Sequence, residues 1–98
     1  IENFVKKEGF SVVRNFTGHG VGFALHEPPV VPNYGNRGTG EEIRDGMVMA
    51  VEPIVTNGSG ELKILEDGWT SVTCDGAMAA QFEHTIAVTK KGPVILTA

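Results

Sequence analysis

The stretch GHGVGFALHEPP, residues 18–29, contains two of the chain's three histidines, three glycines and two consecutive prolines. Glycine lets backbone segments approach closely or adopt positive φ, and imidazoles are common metal ligands and proton carriers near neutral pH. A hydrophobic core does not require this combination. The stretch therefore indicates a functional site, and His19 and His26 are its first candidate residues.

The composition is that of an ordinary globular domain. The 98 residues are 41% hydrophobic and 20% charged, and no apolar run approaches the roughly 20 residues that span a bilayer. The net charge of −4 disfavours nucleic-acid binding, which requires an excess of Lys and Arg. The single cysteine, Cys74, excludes an internal disulfide and fits a reducing compartment. We therefore expect one cytoplasmic domain, residues 1–98, without nucleic-acid or membrane partners.

The distribution of apolar residues predicts an α+β fold dominated by antiparallel strands, with a flanking helix. Residues 1–8 predict the last turns of a helix, with Gly9 at its C-cap. Because this helix starts at Ile1 without a Met, we expect an upstream part of the chain. Strands are predicted, from β-branched, aromatic or continuous apolar residues, at 10–16, 47–55, 69–74, 81–89 and 94–97.

The remaining segments contain breakers of regular structure. The glycines at 18–22 predict an irregular backbone, and the prolines at 28, 29 and 32 exclude a helix. Residues 33–40 (NYGNRGTG) predict a loop, and residues 41–45 a single short turn before Gly46.

Glu52 interrupts the nearly continuous apolar segment MVMAVEPIV, residues 47–55. A buried carboxylate costs several kcal/mol unless it is paired, protonated or bound to a metal. The alternative is a carboxylate at a strand end that reaches solvent or an Arg. Pro53 suits both interpretations, because it ends or bends the strand there.

Glu83 raises the same question in QFEHTIAVT, residues 81–89. Strand alternation places Gln81, Glu83 and Thr85 on one face, and His84 on the other. A simply solvated polar face is the alternative for Glu83. His84, pointing away, is predicted to be packed or to support the site without binding a metal.

The combination of His19, Glu52 and Glu83 is more informative than any one of them. One imidazole with carboxylates suits Mn, Fe, Co or Zn, and bridging carboxylates suit a two-metal centre. Three ligands do not complete two coordination spheres, so waters or upstream residues must supply the rest.

Competing motifs are excluded on their spacing. His26-Glu27 does not begin an H-E-x-x-H zinc helix, because two prolines follow and a second His is missing at the required position. The glycines between Gly35 and Gly40 lack the Gly-Lys-Ser/Thr ending of a phosphate loop. Cys74 precedes a plain Asp-Gly turn and is interpreted as a small strand residue. Trp69 suits either a core position or a pocket wall.

Four motifs in this order closely resemble the C-terminal half of type I methionine aminopeptidases. They are GHGVG with HEPP (18–29), GMV with VEP (46–53), DGWT (67–70) and AQFEHT (80–85). The resemblance covers essentially the whole chain. It implies half of a pita-bread fold, in which an antiparallel sheet carries two divalent metal ions. Aminopeptidase P and prolidase share this scaffold but are disfavoured by DGWT and QFEHT.

The resemblance also implies roles for individual residues. His19 and Glu52 would bind one metal, and Glu83 would bridge both. Glu52 would also carry the proton during hydrolysis. His26 would contact the scissile peptide, and Trp69 would lie near the pocket for the methionine side chain.

The implied activity is metal-dependent removal of the N-terminal methionine from nascent proteins and peptides, with ribosome association as a further expectation. The family's other ligands, two aspartates, lie with another catalytic histidine in the missing N-terminal half. We therefore expect little activity from residues 1–98 alone. The alternative is a catalytically inactive pita-bread domain used for binding, which the upstream aspartates would distinguish.

Overall fold

The computed structural model describes all residues from 1 to 98. It contains one short helix and ten short strands. The elements are α1 Glu2–Lys7, β1 Ser11–Val12, β2 Gly18–Gly20, β3 Glu27–Val31, β4 Val48–Val51, β5 Ile54–Thr56, β6 Leu62–Ile64, β7 Ser71–Thr73, β8 Ala79–Gln81, β9 His84–Thr89 and β10 Gly92–Ile95. The predicted α+β class, with strands in the majority, is confirmed.

The strands form three sheets, and every strand pair in them is antiparallel. The largest sheet has five strands in the order β10-β9-β4-β2-β3. A second sheet has three strands in the order β1-β5-β8, and β6 pairs with β7 as a separate hairpin. Strand β4 therefore lies at the centre of the main sheet, between β9 and β2.

Helix α1 follows the prediction closely. Glu2 lies in its first turn and Lys6 and Lys7 in its last, which complements the helix dipole. The C-cap is Glu8, and Gly9 follows it with a φ of 84°, a conformation that favours glycine. The chain then turns directly into β1.

The two segments predicted as single strands, 47–55 and 81–89, are each interrupted. The first becomes β4 and β5, and the second contributes the end of β8 and then β9. Strands β4 and β9 pair in the five-stranded sheet, whereas β5 and β8 pair in the three-stranded sheet. Each segment therefore passes from one sheet to the other. The connecting residues, Glu52-Pro53 and Phe82-Glu83, are called the crossover below.

The strand that contains Glu52 breaks at the crossover because Pro53 has no backbone N–H to donate to a β-ladder. Val51 opposite His84 is the last pair of one ladder, and Ile54 opposite Gln81 is the first pair of the other. Two residues on each strand thus lie outside both ladders, joined by one hydrogen bond from the Phe82 N–H to the Pro53 carbonyl. The predicted continuous strands were wrong at this point, although Pro53 had indicated an end or bend.

The glycine-rich segment 18–22 was predicted to be irregular, but its first three residues form strand β2. A Cβ on Gly18 would lie 2.1 Å from the carbonyl oxygen of Ala50, and one on Gly20 would lie 2.2 Å from that of Pro28. Neither glycine has positive φ. These glycines are therefore needed for close approach of neighbouring strands.

Strand β1 is shorter than the predicted 10–16. Its pairing with β5 ends at Val12, after which the Val13 N–H donates to the Ile54 carbonyl at 2.9 Å. Arg14 then leaves the sheet to pair with Glu2. The ladder thus ends where the chain turns toward α1, to which Arg14 is joined by this ion pair.

The other boundaries differ less. Strand β7 lies inside the predicted 69–74, and β10 begins two residues before the predicted 94–97. Pro28 and Pro29, joined by a cis peptide bond, lie in the edge strand β3, where the register with β2 shifts. An edge strand tolerates the missing N–H groups. Residues 33–45 form no helix or strand, in agreement with the predicted loop and short turn.

The buried apolar core is small. It consists of Val5, Val12, Val13, Met49 and Ala50. Several large apolar side chains are instead exposed, among them Phe23, Trp69, Met78 and Phe82. The helix of the structure is too short to cross a membrane.

Candidate metal centre

The three predicted metal ligands lie together. One ligand atom each from His19, Glu52 and Glu83 falls within 4.8 Å of the others. His19 comes from β2, and the two carboxylates come from the two halves of the crossover. Residues far apart in sequence thus meet at one point between the two larger sheets.

The register of the main sheet explains this convergence. His19 pairs with Ala50 across β2 and β4, and Glu52 follows two residues after Ala50. Since alternate residues face the same side of a strand, His19 and Glu52 share one face. Glu83 directly precedes His84, the partner of Val51 in the last pair of β4 and β9. The crossover therefore brings Glu83 beside Glu52, and the uninterrupted alternation predicted over 81–89 does not hold there.

The contact between His19 and Glu52 needs a positive charge. The His19 Nδ1 lies 2.9 Å from the Gly20 carbonyl oxygen, which fixes a proton on Nδ1 because a carbonyl only accepts. The other ring nitrogen, Nε2, lies 3.1 Å from Glu52 Oε1, with only 15% and 16% of the two side chains exposed. A neutral imidazole would then present a lone pair to a carboxylate. A proton shared by the two atoms or a metal cation would remove this repulsion.

This donor set fits a divalent metal. It offers one imidazole nitrogen and two carboxylates, which suit Mn, Fe, Co or Zn. The half-buried carboxylate of Glu52 and the exposed one of Glu83 also repel each other unless a cation lies between them. The residues present therefore could hold a metal ion.

Glu52 is held by two amide side chains as well. Gln81 Nε2 donates to Glu52 Oε2 at 3.1 Å, so each carboxylate oxygen has a different partner. Asn33 Nδ2 donates to the main-chain carbonyl of Glu52 at 3.5 Å. Sequence reasoning missed Asn33, since an asparagine in a glycine-rich loop carries no periodic signal.

His26 lies next to the cluster. Its ring centroid is 3.9 Å from that of His19, with an angle of 37° between the ring planes. The loop before it is closed by Glu27, whose Oε2 accepts from the Ala24 N–H at 3.3 Å. A Cβ on Gly22 would lie 2.1 Å from Glu27 Oε1, so a larger residue there would require the Glu27 side chain to move. His26 itself is exposed and available to a ligand.

Trp69 lies in the turn of the β6–β7 hairpin, and 87% of it is exposed. Asp67 fixes the turn, because its Oδ1 accepts from the Trp69 and Thr70 N–H groups at 2.9 and 2.8 Å. The Thr70 hydroxyl, followed by these two N–H groups, lowers the pKa of Asp67. The hairpin is thus a well-ordered turn that presents the indole to solvent, and the predicted pocket role of Trp69 stays a prediction.

His84 differs from its prediction in part. It is exposed rather than packed, and its Nδ1 lies 2.9 Å from the Thr97 hydroxyl. The same hydroxyl accepts from the Thr85 N–H at 3.0 Å. His84 is not part of the metal cluster, as expected.

Two concave spaces of the molecule lie away from the cluster. One, of about 560 Å³, is lined by the start of α1, residues 29–43, Met47 and Met49. The other, of about 540 Å³, lies beneath the loop that precedes His26. Neither is lined by His19, Glu52 or Glu83. The donor chemistry, and not the depth of a cavity, therefore identifies the site.

Comparison with known proteins supports the metal interpretation. Residues 1–90 match the family described as metallopeptidase family M24. The chain is 52% identical over 97 residues to a methionine aminopeptidase of Clostridium perfringens, and 53% identical to methionine aminopeptidase 1 of Bacillus subtilis. Both alignments cover 99% of this chain but 39% of the relative. The chain thus spans about two fifths of the length of these relatives.

Solved structures give the same result for the fold. The chain superposes with a TM-score of 0.96 on methionine aminopeptidases from Thermotoga maritima (52% identity) and Rickettsia prowazekii (44% identity). The alignments cover 99% of this chain and 39% and 40% of those chains. The predicted pita-bread fold is therefore confirmed over the part that the chain spans. The chain belongs to metallopeptidase family M24.

Proposed function

We propose that residues 1–98 form the C-terminal half of the catalytic domain of a methionine aminopeptidase, which removes the N-terminal methionine from nascent proteins and peptides. The observation that carries this proposal is the convergence of His19, Glu52 and Glu83 within 4.8 Å in a family M24 chain. A binding module has no need for carboxylates that repel each other beside an imidazole. This argues against the alternative of a catalytically inactive pita-bread domain.

The proposed centre holds two divalent ions, drawn from Co, Mn, Fe and Zn. His19 and Glu52 would hold one ion, and Glu83 would bridge to the second. The chemistry that such ions supply is a lowered pKa of water and polarisation of a carbonyl. The mixed nitrogen and oxygen donor set supports these metals over ions that prefer thiolates.

The carboxylate of Glu52 is the proposed proton carrier. Its two oxygens have separate surroundings, since Oε1 faces His19 and Oε2 accepts from Gln81. The amide of Gln81 keeps the carboxylate from rotating, so the same oxygen faces the reacting atoms in each cycle. A general base of this kind contributes when it is held within hydrogen-bond distance of the proton it accepts.

His26 and Trp69 are the proposed substrate contacts. His26 stands beside His19 with its ring exposed, a position from which it can donate to the peptide carbonyl oxygen as negative charge develops. Trp69 offers an exposed apolar surface that suits a methionine side chain. Both groups would act on the substrate rather than on the metal.

The proposal includes partners outside residues 1–98. Three ligands do not saturate two ions, so we propose that an upstream half of the domain supplies two aspartates and another histidine. The chain alone would then show little peptidase activity. Action on nascent polypeptides, with ribosome association, places the proposed enzyme in the cytoplasm.

A chimaera tests the proposal directly. Residues 1–97 of this chain would replace the matching 97 residues of the Clostridium perfringens relative, and release of Met from a Met-Ala peptide would be measured with added Mn²⁺ or Co²⁺. We expect metal-dependent release that is lost in Glu83→Ala and kept in Glu61→Ala, which changes an exposed carboxylate of the β6 region. A folded chimaera without activity, or an active Glu83→Ala variant, would refute the proposed function.

A further inference from the structure

Asn33 is among the most deeply buried side chains of the molecule, although it lies in a loop. Only 2% of it is exposed, and its side chain is polar. Nδ2 donates to the Glu52 carbonyl, whereas Oδ1 has no hydrogen-bond partner. Burying the Asn33 amide with an unpaired Oδ1 costs folding free energy, so another interaction must favour this position of the side chain.

The crossover supplies that explanation. Both ladders stop at Glu52, and none of the backbone hydrogen bonds outside the helix and strands involves this residue. Its carbonyl would therefore have no donor from the chain without the Asn33 amide. The opposite amide orientation would bring two acceptor oxygens together, so Nδ2 must face the carbonyl.

The loop that carries Asn33 is itself fixed. The next residue, Tyr34, has its ring beneath the Arg14 guanidinium, whose central carbon lies 4.6 Å from the ring centroid. Arg14 in turn follows β1, which pairs with β5 directly after the crossover. The loop that carries Asn33 is thus attached, through Tyr34 and Arg14, to the three-stranded sheet that begins directly after Glu52-Pro53.

We propose that Asn33 is a positioning residue, which holds the Glu52 peptide at the crossover so that the Glu52 carboxylate faces His19 and Glu83. This inference rests on the proposed metal site. Asn33 does not touch the three ligand atoms, and it acts only through the backbone of Glu52. Groups that orient metal ligands typically change metal affinity by about 10- to 100-fold when they are removed.

Asn33→Leu is the test variant, because leucine has the same branching at Cγ and lacks the donor. Asn33→Asp is the second variant, since its carboxylate would oppose the Glu52 carbonyl. Asn36→Leu, in the same loop and exposed, is the matched control. We expect Co²⁺ affinity to fall at least about tenfold in both Asn33 variants, with a changed visible absorption spectrum of bound Co²⁺. The control should match the wild type.

A second measurement does not depend on a metal. The Phe82 N–H donates to the Pro53 carbonyl at 3.2 Å across the crossover, and its amide exchange reports whether the crossover stays closed. We expect faster exchange in Asn33→Leu, while the Leu65 N–H in the β6–β7 hairpin, bonded to Thr70 at 2.8 Å, is unchanged. Unchanged Phe82 exchange in both Asn33 variants would overturn the positioning role. Absence of Co²⁺ binding by the wild type would instead count against the proposed function, and the exchange measurement would still decide on Asn33.

Discussion

Glu2 and Glu52 are both shielded carboxylates, but their partners are of different kinds. Glu2 accepts from the Gly35 N–H at 3.1 Å and forms ion pairs with Lys6 and Arg14. The hydrogen bond from Gly35, followed by the two cations, lowers the pKa of Glu2. Glu52 instead meets the imidazole of a histidine and one side-chain amide.

This difference is the one expected if Glu2 has a structural role and Glu52 has the proposed metal-binding role. The chain neutralises Glu2 with its own cations, and the result is a link between α1, β1 and the loop 33–40. Near Glu52 the structure places a second carboxylate, Glu83, and no Lys or Arg pairs with either of them. The proposed metal ion would supply the positive charge that no Lys or Arg of the chain supplies here.

The largest expected effect is on catalysis. In the chimaera, Glu52→Gln keeps the size of the side chain but removes a negative ligand and the proposed base, so Met release should fall by at least about 100-fold. Glu2→Gln should leave the rate of a correctly folded chimaera within about a factor of a few, since Glu2 lies outside the proposed site. Rates at saturating Mn²⁺ would be compared. An equal loss of Met-release rate in Glu52→Gln and Glu2→Gln would contradict the different roles given to the two carboxylates.

A smaller effect, of different size in the two regions, is expected on thermal stability. Without metal, Glu2→Gln should lower the melting temperature of residues 1–98, because it weakens two ion pairs and an anionic hydrogen bond. Glu52→Gln should lower it less, because the weakened contact with His19 is offset by the relief of repulsion with Glu83. Circular dichroism melts in metal-free buffer measure both, with Glu61→Gln as the exposed control. A stabilised Glu2→Gln variant would contradict the structural role of Glu2.

The smallest effect is on the pH dependence of stability. Glu2, Asp67 and Asp75 all have lowered pKa values, and for Asp75 the main cause is the hydrogen bond from the Ser59 N–H. Their contribution is complete above the unfolded pKa of about 4 and is lost as pH falls through the lower folded values. Stability should therefore decline below about pH 4, and less steeply in Glu2→Gln. Denaturant midpoints at pH 3 and pH 6 check this, and an unaltered slope in Glu2→Gln would exclude Glu2 as a contributor.

The metal cluster could be predicted from sequence because its residues violate local patterns. A carboxylate inside an apolar segment, as at Glu52, demands a partner, and the surrounding motifs suggested which partners to choose. The sequence indicates the crossover in only one of its two strands. Pro53 indicates a break in its own strand, whereas nothing in Phe82-Glu83 indicates that the opposite strand breaks at the same point.

Other features depend on contacts that no single segment encodes. The glycines of β2 were interpreted through backbone freedom, but their reason is the close approach of Ala50 and Pro28. Asn33 was not predicted at all, because its partner is a main-chain carbonyl 19 residues away. The role of Trp69 could not be predicted from the residues around it, because the hairpin that carries it is exposed and its indole has no neighbours within the chain that define a pocket.

The central claim is that His19, Glu52 and Glu83 bind a divalent metal, and calorimetric titration of Co²⁺ into residues 1–98 tests it most directly. The comparison uses the wild type, Glu83→Gln and Glu2→Gln under the same metal-free starting conditions. We predict binding to the wild type and to Glu2→Gln, and its loss or a reduction of at least about tenfold in Glu83→Gln. Equal Co²⁺ affinity of the wild type and Glu83→Gln, or no binding by the wild type, would contradict the claim.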